Sequence, residues 1–155
     1  KGINALLQAY MQLAAVDKRL HLVLAGNPGK WVARQRYPNL HLPGQLDHNE
    51  IPGLFDALDT GVICIRDNVF GRYCFPQKFH EMVARKLPLV AAAVGEMSTL
   101  LANNPQQLYR PDDVEDLKRA ICYQLQHRHS LPDEVPTWEV QAERFERVIL
   151  EVLDR

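Results

Sequence analysis

A chain of 155 residues, 46% hydrophobic and 24% charged, can bury one sizeable core, on the order of 70% of its unfolded surface, without a disulfide frame or a structural metal. Its 18 Lys and Arg against 19 Asp and Glu give a formal net charge of −1, which excludes a strongly basic nucleic-acid binder and a highly charged disordered chain. Three cysteines, Cys64, Cys74 and Cys122, stand far apart with no C-x-x-C pair, which argues against a disulfide framework and a zinc site and for a reducing cytoplasm. The longest apolar runs, such as Leu87 to Val94, fall short of the roughly 18–20 residues that span a bilayer, and the amino end shows no leader pattern. Residue 1 is Lys rather than Met and a helical pattern starts at once, which reads as a piece of a longer protein.

Ile3, Leu6, Leu7, Tyr10, Leu13 and Ala14 recur at helical spacing and predict a first helix. The run Leu20–Ala25, closed by Gly26-Asn27-Pro28-Gly29, predicts a buried strand. A second strand falls at Asn39–Leu42 and ends at Pro43-Gly44. A helix from Glu50 to about Leu58 leads into Thr60–Ile65, a continuous apolar strand of the kind that parallel sheets bury on both faces. After an irregular stretch, Asp67–Phe75, come a helix from Pro76 to about Lys86, a strand at Pro88–Ala92, a helix at Glu96–Ala102, a short strand near Leu108 and a helix at Asp113–Gln126. This alternation predicts an α/β fold with a doubly wound parallel sheet over residues 1–131. Residues 132–155 comprise a linker and a last helix. Trp138, Ala142, Phe145, Ile149 and Val152 form its apolar stripe, with Thr137 as N-cap, and it either packs on its own domain or reaches toward another.

In such sheets ligands bind beyond the carboxyl ends of the strands, so the loops after strands are the informative positions. Gly26-Asn27-Pro28-Gly29 could let a ligand approach the backbone but lacks G-x-G-x-x-G, and a plain turn explains it as well. Pro43-Gly44-Gln45-Leu46 is equally open. The connection Asp67 to Phe75 exceeds the usual two to six residues of such loops, and long loops at this end of a sheet are disproportionately functional. Pro76 suits a first helical position, which would aim the amides of Gln77 and Lys78 into that loop and make an anion site. On this helix Phe79, Met82, Val83 and Lys86 share one side, and Gln77, Lys78 and Glu81 another. The Glu81 carboxylate, one turn in, can accept two hydrogen bonds from a vicinal diol; a surface ion pair with Lys78 is the plainer reading. Val94-Gly95-Glu96-Met97 reads as a helix cap. The six histidines support no catalytic or metal constellation, His127-x-His129 being a solvated helix end.

In order along the chain, Lys1-Gly2 opening a helix, Leu22 to Gly26, Leu58 to Val62, Phe70-Gly71, the block Phe75 to Ala84, Leu87 to Val90 and Val94-Gly95-Glu96 resemble the carboxy-terminal domain of retaining glycosyltransferases of the GT-B fold, the glycosyl transferases group 1 family. The strongest part is P-x-K-x-x-E-x-x-A, here from Pro76 through Glu81 to Ala84. The resemblance implies a Rossmann-like half that binds a nucleotide-sugar donor, facing an amino-terminal half that binds an acceptor sugar or glycolipid. It implies catalytic roles for Lys1, the lysine of a K-G motif that neutralises the donor diphosphate, and for Glu81, which accepts hydrogen bonds from the ribose. The remaining donor-binding set is Gly26, the base-reading segment Gly44-Gln45-Leu46, Asp67 and Asn68 at the sugar, and Phe70, Gly71, Arg72, Gln77 and Lys78 at the diphosphate. The family's E-x7-E motif calls for a carboxylate where this chain has Tyr73, and Asn68 stands where the glutamate before F-G would be.

The reaction this resemblance implies is hexosyl transfer with retained anomeric configuration, in bacterial polysaccharide or lipopolysaccharide synthesis at the cytoplasmic face of the inner membrane. Preorganised cations and amides would stabilise the departing diphosphate, with no metal and no cofactor. The whole protein would associate peripherally with the membrane and bind no nucleic acid, and the chain alone would hold donor without completing the transfer. Two other readings stand beside this one: a non-catalytic nucleotide-sugar-binding or regulatory domain, for which the missing first glutamate speaks, and a nucleotide-sugar 2-epimerase, for which His80 beside Glu81 is the one hint. A response regulator is disfavoured because no paired aspartates follow the first strand.

Overall fold

The computed structural model of the protein describes residues 2–34, 37–131 and 135–153. Helix α1 (Ile3–Val16) precedes β1 (Leu22–Ala25), a one-turn helix α2 (Lys30–Ala33), β2 (Leu40–Gly44), α3 (Ile51–Asp56) and β3 (Gly61–Ile63). Two short helices, α4 (Val69–Tyr73) and α5 (Lys78–Ala84), lead to β4 (Leu89–Ala92), α6 (Glu96–Leu100), β5 (Leu108–Tyr109), α7 (Val114–His127) and α8 (Trp138–Leu153). The strand pairs β1–β2, β3–β4 and β4–β5 are all parallel.

The apolar run of β4 is continuous because helices cover both of its faces, and all four of its residues are buried. Leu89 and Ala91 join Phe79, Met82 and Val83 of α5 and Met97 of α6 in one layer. Val90 and Ala92, on the other face, meet Ala5, Leu6 and Ala9 of α1 and Leu117, Ala120 and Ile121 of α7. Strand periodicity of two and helix spacing of three and four thus resolve into two cores on either side of one strand, the doubly wound, Rossmann-like arrangement. Small residues at the meeting of α1 and α7, Ala9 and Ala120, are both fully buried and let the two helices approach closely.

The parallel sheet is in two parts, β1–β2 and β3–β4–β5. Strands of four and three residues offer few ladder bonds, and β1 and β3 each keep one edge outside the pairing. Between them lies a cavity of about 480 Å3, walled by Leu22–Ala25 on one side and Thr60–Val62 on the other.

Several boundaries differ from the sequence reading. β2 continues through Pro43-Gly44 because it pairs with β1 alone, and an edge strand tolerates a proline. The helix expected from Glu50 opens one turn earlier as a 3-10 turn, His48–Glu50, in which Asp47 and Glu50 form a capping box. The stretch Asp67–Phe75 is not irregular: it contains α4. The helix expected over Pro76–Lys86 spans only Lys78–Ala84, and Lys86 is exposed with a left-handed φ of 54°, because the chain reverses there so that Leu87 N–H reaches Met82 O (2.9 Å).

Beyond α7, Leu131 is buried in the α5–α6 core and Val135 packs against it, so both ends of the linker are anchored. Thr137 Oγ accepts from Val140 N–H (3.4 Å) at the start of α8. None of the described residues of α8 is buried, and Phe145 of its apolar stripe is 68% exposed.

Candidate functional site

At the carboxyl ends of the strands, glycine lets the chain turn where a side chain would strain it. Gly26 follows β1 with φ 93° and Gly44 closes β2 with φ 80°, and Gly26 N–H donates to Gly44 O (2.6 Å). A Cβ on either would meet nothing within 4 Å, so both backbones face open space. Gln45 is exposed and Leu46 half-buried behind them. Gly2 sits at the same end of the fold, close to Cys64 and Asp112. Lys1 lies outside the described residues.

After β3 the chain builds α4 from a cap rather than from periodicity. Asn68 takes an extended backbone and its Oδ1 accepts from Gly71 N–H (2.8 Å). Asp67 and Arg72 bracket this turn as an exposed ion pair (2.6 Å), and the Arg72 guanidinium holds the Asp67 carboxyl below the usual carboxylate range. Gly71 is buried, and a Cβ there would collide with Arg66 O. A Cβ on Gly95, whose φ is 55°, would stand 2.5 Å from Arg72 O, so the loops after β3 and β4 pack together.

Helix α5 buries Phe79, Met82 and Val83 and leaves Lys78 and Glu81 exposed on the opposite side. Its first turn is closed by Phe79 N–H to Pro76 O (2.8 Å) and His80 N–H to Gln77 O (3.0 Å). Gln77 therefore caps the helix, and Pro76 precedes it instead of occupying its first position. With seven residues the helix carries only a small dipole, and the Lys78 ammonium is the stronger attraction for an anion. The His80 ring stacks on Phe75 (4.9 Å between centroids) and meets Phe79 edge-on, away from any chemistry shared with Glu81.

Two cavities adjoin at this helix, and Lys78 lines both. The larger, about 480 Å3, takes Glu81 and Met82 from α5, the whole of β1, Thr60–Val62, and apolar side chains of α1 and α3. The smaller, about 310 Å3, is walled by Cys64, Ile65 and Arg66 after β3, by Asn68, Phe70 and Gly71 of the α4 turn, and by Cys74 and Pro76. The structure thus brings Lys78 and Glu81 together at one cavity, and Asn68, Phe70, Gly71 and Lys78 at the other. Asp67, Arg72 and Gln77 lie beside the site without lining either. Gly26 adjoins it as the residue after Ala25. Gly44, Gln45 and Leu46 are one strand farther out.

Sequence reasoning missed Cys64, Ile65, Arg66 and Cys74. The first two were assigned to a strand that stops at Ile63; their position just past its carboxyl end is the signal that marks them. Burial pushes the Cys64 thiol up, against the opposing pull of the Tyr109 hydroxyl that donates to it and of the Lys78 charge. Among the described residues no three His, Cys, Asp or Glu side chains are placed to hold a metal ion, and no helix is long and apolar enough to cross a membrane.

A comparison with curated proteins finds none that matches. The family model of the glycosyl transferases group 1 matches residues 1–127, from the start of α1 to the end of α7, and so covers both cavities and, apart from Leu131 and Val135, both cores. With a Rossmann-like domain, one chamber along β1 and β3 and a second beyond the carboxyl end of β3, the chain belongs to the glycosyl transferases group 1 family, whose reaction transfers a sugar from a nucleotide-sugar donor to an acceptor.

Proposed function

We propose that the chain is the donor-binding domain of a glycosyltransferase and holds a nucleotide-sugar across the two cavities that meet at Lys78. The observation that carries this reading is the shared cation: a ligand with an anionic centre and two uncharged ends fits a pair of chambers with one ammonium between them. The nucleoside occupies the larger chamber, where the Glu81 carboxylate accepts from the ribose diol. The diphosphate lies at Lys78, and the sugar enters the smaller chamber beside the α4 turn.

Transfer breaks the bond from the anomeric carbon to the diphosphate oxygen, whose electron pair leaves with the diphosphate. The acceptor oxygen forms the new bond to that carbon, and its hydroxyl proton passes to the departing diphosphate oxygen. Charge develops on the leaving oxygens, and Lys78, Lys1 and Arg66 are the cations assigned to stabilise it, with the Phe70 amide as a neighbouring donor; the Gly71 and Arg72 amides are already held by Asn68 Oδ1 and Asn68 O. Retention of anomeric configuration, a hexosyl group, an acceptor sugar or glycolipid bound by a second half, and a place in bacterial polysaccharide or lipopolysaccharide synthesis at the cytoplasmic face of the inner membrane are supported by the family resemblance.

Titration with UDP, GDP and ADP and their hexose conjugates, followed by ligand-observed NMR, tests the reading. One nucleoside diphosphate should bind, and Lys78→Ala should weaken it; failure of every nucleotide to bind would overturn it. The smaller chamber has no carboxylate among its described lining residues, which favours a second reading, a non-catalytic nucleotide-sugar-binding or regulatory domain. An assay of sugar transfer by the protein together with its acceptor-binding half separates the two.

A further inference from the structure

The two parts of the parallel sheet turn unpaired edges toward each other. Backbone groups alternate sides along a strand, and each bonded residue of a parallel ladder offers both its N–H and its C=O to one neighbour. On β1, Leu22 N–H donates to Asn39 O (3.0 Å) and Gly26 N–H to Gly44 O (2.6 Å), so Leu22 and Leu24 face β2 while Val23 and Ala25 present N–H and C=O to the opposite side. On β3, Gly61 N–H donates to Pro88 O (2.8 Å), so Gly61 and Ile63 face β4 and Val62 presents its N–H and C=O away from it. Val23, Ala25 and Val62 all line the cavity of about 480 Å3 between the strands. Its other walls are largely apolar, Leu6, Leu54, Phe55 and Ile121 among them, and the Tyr10 and Thr60 hydroxyls have already donated their protons to Pro38 O and Pro88 O.

From these edges we infer that the base of the donor closes the sheet: it lies between β1 and β3 and pairs with the main chain of Val23 on one side and of Val62 on the other. The inference rests on the donor-binding reading above, which sets the ribose at Glu81 and so sends the base into this chamber. A nucleobase is a flat ring with donors and acceptors around its rim, and a rim moved from water into an apolar chamber must find partners there. A strand edge offers one N–H and one C=O from the same residue and carries the same need. Water can meet either edge, but a base meets both at once and also buries its two faces against the apolar walls. This sets the base one strand inward of Gly44-Gln45-Leu46, and the arrival of donor joins β2–β1 to β3–β4–β5 in one hydrogen-bonded layer.

Amide-resolved hydrogen exchange by NMR on the chain itself, with UDP, GDP and ADP in turn, tests this. Inorganic pyrophosphate and ribose 5-phosphate are the controls, since they carry the anion and the diol without a base. The nucleoside diphosphate that binds should slow the Val23 and Val62 amides together by about 3- to 10-fold, the worth of one hydrogen bond each, and its base protons should show nuclear Overhauser contacts to both strands. The base-free controls should leave both amides as they are. If a nucleoside diphosphate binds with one or neither amide slowed, if a base-free control slows them as much, or if contacts appear directly between Val23 and Val62 so that the strands pair with no base between them, the inference fails and the donor-binding reading stands. If no nucleoside diphosphate binds, both fall.

Discussion

Glu81 is the residue on which the donor reading can be broken most simply. Its carboxylate is exposed on the face of α5 that lines the larger cavity, so replacing it removes a ligand contact without opening a core. Hydrogen bonds to a charged group contribute about 1.5–3 kcal/mol, and Glu81→Ala should therefore weaken nucleotide binding about 10- to 150-fold with no loss of melting temperature. Calorimetry showing unchanged affinity would sink the ribose contact. Two glycines give the opposite kind of expectation. A Cβ at Gly71 would overlap the backbone oxygen of Arg66, which cannot move aside, whereas Gly53 in α3 has nothing within 4 Å of its absent side chain. Gly71→Ala should cost about 1–3 kcal/mol and loosen the α4 turn, while Gly53→Ala should raise stability by about 0.4–1 kcal/mol, both read by denaturant melts. Glu81 and Lys78 were legible in the sequence because helical spacing alone puts them on one face. The close approach at Gly71 was not: nothing in Phe70-Gly71-Arg72 announces that a carbonyl five residues back will press on it.

At the level of elements, the strongly patterned pieces were legible and the capped ones were not. Helices α1 and α7 follow from apolar residues three and four apart, and β4 from its unbroken run, since tertiary burial agrees with local pattern there. Helix α4 has only five residues and exists because one asparagine satisfies an amide at its start; period counting cannot find such a turn. The same holds for Gln124, a polar residue on the buried face of α7. Its amide nitrogen donates to Leu89 O (2.8 Å) and His129 O (3.0 Å), and its oxygen accepts from His129 N–H (3.2 Å), which ties the end of α7 to the start of β4. Gln124→Leu keeps the volume but strands the buried Leu89 carbonyl, while His129 O keeps the bond from Gln107 Nε2 (2.9 Å) and the exposed His129 amide can turn to water. It should cost about 1–3 kcal/mol by chemical denaturation, more than a substitution at the exposed residues of the same helix.

Across the whole molecule, stability is bounded on both sides of neutral pH. Asp17, Asp56, Asp67 and Asp116 are all held below their ordinary carboxylate range, the first to about 2 by hydrogen bonds from Arg19, the next two by hydrogen bonds from Arg85 and Arg72, and the last, against its burial, by the Arg110 amide and Arg119. A depressed carboxylate stabilises the fold above its unfolded value, and that contribution disappears as pH falls from about 4 toward 2. Tyr109 and Cys64 work in the other direction. Burial raises both, so the unfolded chain gives up these protons first, and the fold loses stability as pH rises past the ordinary thiol and phenol values of 9.0 and 10.0. Thermal melts between about pH 8 and 11 should show this decline, and Tyr109→Phe should flatten its upper part; an identical slope in the variant would mean that another group governs alkaline unfolding. The two-part sheet was not legible, because apolar runs predict strands and leave open which edges meet. The partition of the site at Lys78 also bears on turnover. On the proposed reading, a nucleoside diphosphate left after transfer would still fill the larger chamber and hold the cation, so used donor would compete with fresh donor for the chain.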